Sequence, residues 1–159
     1  DGIAALLKIQ SFNSYEGEAT MKLEAVARSC KSKSYEYYSI PVNKNRLEWA
    51  AMIEGIIMDI KEKKDTAFIA RKVFMSLAML VKNVAIRSGF RKISFSGGVF
   101  QNAFLVDLVI ELLQNKFELY FHKQLSPNDE CIGFGQLAYE TLRSENKTGL
   151  KEELQITNH

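Results

Sequence analysis

The sequence predicts an α/β fold, a helix-rich lobe that carries a short sheet, mixed or parallel. Three observations lead there. Residues 92–144 read as strand, glycine turn, helix, strand, polar turn and helix, the pattern of a parallel βαβα unit. Before residue 92 the apolar residues recur at helical spacing in several stretches, against a single weak strand signal. Finally, 159 residues with 47% hydrophobic and 25% charged side chains are enough for one domain around one core.

Each element has its own warrant. Ile3, Leu6 and Leu7 share a helical face over residues 1–9, and Ser11 to Gly17 is a polar loop. A helix over 17–30 carries Ala19, Met21, Leu23, Val26 and Ala27. Tyr35 to Ile40 is aromatic and β-branched, a strand signal closed by Pro41. Trp49, Ile53, Ile56 and Ile60 recur on one helical face, and Lys61 to Asp65 is a charged connector. The longest helix spans 66–88, with Ala70, Val73, Phe74, Leu77, Val81, Val84 and Ala85 at spacings of three and four, and Gly89 stops it. Strands follow at 92–95 and 117–121, and helices at 100–114 and 129–144. The domain is expected over 1–146, with 147–159 a polar, fraying tail.

Composition excludes several functions. The net charge of +2 is small, and the basic residues are scattered among acidic ones, which argues against a nucleic-acid partner. No apolar run approaches the roughly 18 residues of a membrane span. Cys30 and Cys131 lie far apart in no metal spacing, as expected of reduced thiols in a cytoplasmic protein. The start, Asp1-Gly2-Ile3-Ala4-Ala5-Leu6-Leu7, reads as the inside of a helix rather than a signal peptide, as expected of a piece of something longer.

Two motifs sit at the carboxyl ends of the predicted strands, where ligands bind in such units. In Ser96-Gly97-Gly98 the glycines permit close backbone approach and positive φ, and Asn102 near the next helix start has the chemistry to bond a sugar or a phosphate. The same string also suits a tight turn with no ligand. It is neither a dinucleotide fingerprint nor a P-loop. In Ser126-Pro127-Asn128-Asp129, Ser126 suits an N-cap, Pro127 the first helical position and Asp129 the reciprocal capping position. Alternatively Asp129 is a hard oxygen ligand for a metal, although one carboxylate is not a metal site. His122, just past the second strand, is either a structural donor or a catalyst. Gly133 and Gly135 suit close packing of the last helix, and Glu16 or Glu18 suits a capping carboxylate.

Together, the start at Asp1, Ser14-Tyr15-Glu16-Gly17-Glu18-Ala19, Ser96-Gly97-Gly98-Val99-Phe100-Gln101-Asn102, and His122 followed by Pro127-Asn128-Asp129 through Ile132, Gly133 and Gly135-Gln136 resemble the HypF carbamoyltransferase family over residues 1–140. The resemblance implies the C-terminal lobe of that family's last domain, related to TsaD and TobZ, with the actin-like, sugar-kinase-like and ribonuclease H-like ATPase fold. It implies a nucleotide site touched by Asp1, Gly17, Ser96, Gly97, Gly98 and Asn102. Asp129 would be one ligand of a divalent ion (iron, zinc or magnesium), beside two histidines of another lobe. It further implies carbamoyl phosphate and ATP as substrates, a carbamoyl-adenylate intermediate, and transfer to the C-terminal cysteine of HypE. Glu130-Cys131 stands where the family usually has glycines, and Val73-Phe74 where a Phe-His pair is frequent. A lobe with one wall of such a site is expected to be inactive alone. A partner-docking lobe without catalysis is one alternative. A TsaD-like tRNA-modifying transferase is another, and Tyr15-Glu16-Gly17 in place of a Tyr-Pro-Gly-Gly string argues against it.

Overall fold

The structure, a computed structural model, describes residues 1–44 and 46–156. The elements run α1 (Gly2–Leu6), α2 (Glu18–Arg28), β1 (Val42–Asn43), β2 (Arg46–Leu47), α3 (Ala50–Lys61), α4 (Thr66–Ser88), β3 (Lys92–Phe95), a 3-10 turn (Gly98–Gln101), α5 (Ala103–Leu113), β4 (Glu118–Phe121) and α6 (Glu130–Ile156). β1 and β2 form a short antiparallel hairpin, and β3 pairs with β4 in a second two-stranded sheet. The backbone N–H of Glu118 donates to Arg91 O at 2.8 Å, and Phe95 stacks on Phe121 with ring centroids 4.6 Å apart. Starts meet starts and ends meet ends, so β3 and β4 run the same way, as a crossover through α5 requires.

The chain divides into two compact units. One comprises residues 1–94 and 102–120, the other residues 95–101 and those from 121 onward.

The first unit is built around α4. Asp65 caps the start of that helix by accepting from the Ala67 N–H at 3.2 Å, and Gly89 ends it at φ 73°, a left-handed conformation that glycine adopts without strain. Helices α2 and α5 both pack on it. This explains why Ile69, Val73, Phe74 and Met75 are all buried although they point to different sides. Phe74 meets Phe104 of α5 edge-on, with centroids 5.4 Å apart. The core continues through Leu23 and Ala27 of α2 and Leu108, Val109 and Leu113 of α5.

Two expectations change here. Helix α3 buries Met52, Ile56 and Asp59, whereas Trp49, Ile53 and Ile60 stay partly exposed. The reason is electrostatic. The Asp59 carboxylate accepts from Tyr38 Oη at 2.6 Å, Lys64 Nζ at 2.7 Å and Lys72 Nζ at 2.9 Å, so a charged residue faces inward. Burial pushes this carboxyl up, and the three hydrogen bonds outweigh it and bring it down to about 2. The second change is that Tyr35 to Ile40 forms no strand. Its alternation is real, since Tyr38 and Ile40 are buried while Tyr35 and Tyr37 are exposed. The backbone N–H of Tyr38, however, donates to Ser76 Oγ of α4 at 2.8 Å rather than to a neighbouring strand.

In the second unit, helix α6 runs to Ile156, through most of the stretch expected to be a tail, and residues 157–159 lie outside the described residues.

Candidate functional site

The glycine turn lies in the second unit. After Phe95 the chain passes exposed Ser96, then Gly97 at φ 107°, a conformation that L side chains rarely adopt. Next come the 3-10 turn and Asn102, so α5 starts later than the apolar pattern suggested. A Cβ built on Gly98 would find its nearest neighbours, Asn128 Cβ and Gln101 Oε1, at 4.0 Å. Space is therefore open in front of Gly98.

Several interactions fasten residues 95–101 to residues 121–128. His122 Nε2 lies 3.1 Å from Ser96 Oγ. The Gly97 N–H donates to Pro127 O at 2.6 Å, and Gln101 Nε2 donates to Ser126 Oγ at 3.0 Å. Phe95 stacks between these segments, parallel to Phe121 and edge-on to Phe100. The side-chain ties involving Ser96 and Gln101 join residues 26 and 25 positions apart in the chain, so no local spacing announced them.

The second motif folds differently from the capping pattern. Ser126 is taken up by Gln101, and Asn128 caps α6 instead, its Oδ1 accepting from the Glu130 N–H at 3.2 Å. Asp129 is exposed, and its carboxylate has no hydrogen bond or ion pair among the described residues. It is thus available as a ligand but alone. No group of three His, Cys, Asp or Glu residues that could hold a metal ion occurs among the described residues. Gly133 and Gly135, expected to permit close packing, have nothing within 4 Å of an added Cβ.

The first unit holds Asp1, Gly17 and Asn102. Asp1 Oδ2 accepts from Asn13 Nδ2 at 3.1 Å, and Asn13 Oδ1 accepts from the Ala19 N–H at 3.2 Å. Asp1 is therefore tied through one side chain to the loop that enters α2. Gly17 is the N-cap of that helix at φ 85°. Glu18 reaches back to the Ser14 N–H at 2.6 Å and pairs with Lys22 at 2.7 Å. The Lys22 hydrogen bond first, and that from Ser14 second, hold its carboxyl down at about 2. Of the two carboxylates considered at this helix start, Glu18 is the one engaged.

Asn102 is buried and caps α5, with Oδ1 accepting from the Leu105 N–H at 2.9 Å. An Asn directly before Ala103-Phe104-Leu105-Val106 is an N-cap signal in its own right. Its side-chain NH2 donates to no partner among the described residues. Capping thus consumes one end of this amide and leaves the other available.

Comparison with known proteins follows the same residues. Residues 1–136 match the family described as "Carbamoyltransferase, Kae1-like Domain, second subdomain". The carbamoyltransferase HypF of Synechocystis sp. is 33% identical over 142 residues, covering 86% of this chain and 18% of that protein. A probable carbamoyltransferase HypF of Methanocaldococcus jannaschii is 25% identical over 139 residues, again 86% of this chain and 18% of that protein. Among solved structures, full-length HypF in its phosphate- and nucleotide-bound form superposes with a TM-score of 0.75 at 29% identity, covering 84% of this chain and 22% of that one. HypF of T. kodakarensis gives a TM-score of 0.69 at 25% identity, covering 81% of this chain and 17% of that one. The chain therefore spans less than a quarter of the length of these relatives.

Proposed function

Because the chain belongs to the HypF carbamoyltransferases, as the second subdomain of their Kae1-like domain, we propose that it supplies the nucleoside side of a carbamoyl-transfer site. The Kae1-like domain has an actin-like, ATPase-type fold, and the helix-rich α/β architecture here matches it. One observation supports the reading most: the turn after β3 has a backbone at Gly97 that L side chains rarely adopt, and at Gly98 it opens onto space with no atom closer than 4.0 Å to an added Cβ.

In this reading Asp1, Gly17, Ser96, Gly97, Gly98 and Asn102 face a nucleotide. The glycines let the ligand reach the backbone, Ser96 offers a hydroxyl, and Asn102 offers the NH2 that capping leaves over. The substrates are ATP and carbamoyl phosphate, and carbamoyl-adenylate is the intermediate, formed with release of phosphate from carbamoyl phosphate and pyrophosphate from ATP. The thiolate of HypE's C-terminal cysteine attacks the carbamoyl carbon, and AMP leaves. The reaction takes place in the cytoplasm. The described residues do not make a metal site by themselves. Asp129 fits as one ligand of a divalent ion whose remaining donors lie elsewhere in the whole protein, and no step is assigned to that ion.

In this reading the chain supplies one wall, and adenylyl transfer needs positioned groups along the polyphosphate from both sides. The isolated chain is therefore expected to release no pyrophosphate from ATP in the presence of carbamoyl phosphate, whereas the whole protein does. Robust release by the chain alone overturns the division of labour. Failure of the whole protein to carbamoylate a HypE C-terminal peptide overturns the transfer reading.

A further inference from the structure

We infer that His122 is a positioning residue for the nucleotide, acting through the Ser96 hydroxyl. The inference rests on the nucleotide reading above and adds a residue and a mechanism to it. Ser96 directly precedes the Gly97–Gly98 turn, and its Oγ lies 3.1 Å from His122 Nε2. Both side chains are exposed, so the contact is not a by-product of core packing. The Gly97 N–H already donates to Pro127 O. Ser96 Oγ is a polar side-chain group next to the turn that remains exposed to a ligand. Its direction depends on what holds it.

An unheld serine hydroxyl samples three staggered rotamers. His122 selects one, whichever partner donates: a protonated Nε2 gives its hydrogen to Oγ, and an unprotonated Nε2 takes the hydroxyl hydrogen. Either arrangement holds Oγ in place: with Nε2 accepting, the lone pairs are left for a ligand, and with Nε2 donating, the hydroxyl hydrogen is left for it. A catalytic Ser–His pair is the competing reading. It needs a third group that orients the imidazole, and His122 Nδ1 has no carboxylate partner among the described residues. Positioning requires only the contact the structure contains.

The size of the effect is bounded. Removing a choice among three rotamers is worth about threefold in affinity, and one hydrogen bond adds a comparable factor. The test is calorimetry of ATP binding to the whole protein. His122→Ala is expected to weaken binding about three- to tenfold, and Ser96→Ala is expected to do the same. The double variant should be no weaker than Ser96→Ala alone, because His122 acts only through that hydroxyl. His122→Gln, whose Nε2 can reach Ser96, should recover most of the loss. If His122→Ala lowers the melting temperature, His122→Phe, which keeps the loop filled but has no hydrogen bond to give Ser96, is read in its place against His122→Gln. Unchanged affinity in His122→Ala, or losses that multiply in the double variant, overturns the inference. Gly98→Ala separates the two levels. If it weakens ATP binding while His122→Ala does not, positioning fails and the nucleotide reading stands. If neither changes binding, the nucleotide reading itself has failed.

Discussion

The first unit has a closed core, in which Ile69, Met75, Val109 and Leu113 are no more than 1% exposed. In the second, Ile132, Phe134 and Leu137 of α6 are 54%, 60% and 72% exposed. The polar side chains divide the same way. In the first unit Glu18, Asp59 and Asn102 are buried and engaged in capping or ion pairs. In the second, Ser96 and Asp129 are exposed. The helical unit spends its chemistry on holding itself together. The turn-bearing unit ties its two loops together through a few polar contacts and leaves Ser96 and Asp129 exposed. Substitutions can break or sharpen that contrast.

The largest effect is expected at Asp59. Asp59→Ala leaves Lys72, itself mostly buried, without its carboxylate, and breaking a buried pair costs about 3–5 kcal/mol. Chemical unfolding of the chain measures this. The acid limb has a definite sign. The folded carboxyl sits at about 2, below its ordinary value, so its contribution is complete above the ordinary carboxylate range and is lost as the pH falls toward 2. The variant should lose stability less steeply over that window than the parent.

Gly55→Ala comes next. The added Cβ would lie 2.6 Å from Tyr38 Cδ1, on a ring fixed by Asp59 and Lys72, and overpacking of this kind costs about 1–3 kcal/mol. A variant as stable as the parent would show that the Tyr38 segment yields easily.

A smaller loss is expected at Asn102. Asn102→Ala removes the cap of α5 and should cost about 1 kcal/mol, whereas Asn102→Ser should retain most of the stability. In the whole protein both lack the side-chain NH2, so both should weaken nucleotide binding. Affinity that follows stability across the two variants would reduce Asn102 to a cap.

Much of this was legible in the sequence, for physical reasons. α4 begins and ends where its periodicity and Gly89 place it, because one helix surrounded by others must be apolar on several faces. β3 and the turn after it were readable because four residues with Ile93 and Phe95 on the same side run into two glycines. What misled is equally specific. Asp59 takes an inward position that an apolar count assigns to Ile60, since no count weighs Tyr38, Lys64 and Lys72 arriving from other segments. Tyr35 to Ile40 has strand alternation without a strand partner. At the site, Ser126 has the composition of a cap, but Gln101 reaches it from the other loop and Asn128 does the capping. The pairing of Ser96 with His122 is tertiary and leaves no periodic trace.

The most direct test of the central claim uses Gly98→Ala. The nearest atoms to the added methyl are 4.0 Å away and the backbone is not left-handed, so the fold should accept it with an unchanged melting temperature. If the turn faces a nucleotide, the methyl occupies space the ligand needs, and calorimetry on the whole protein should show ATP affinity falling at least about tenfold. An unchanged affinity, with the melting temperature also unchanged, would contradict the account and leave Ser96-Gly97-Gly98 as a tight turn and nothing more.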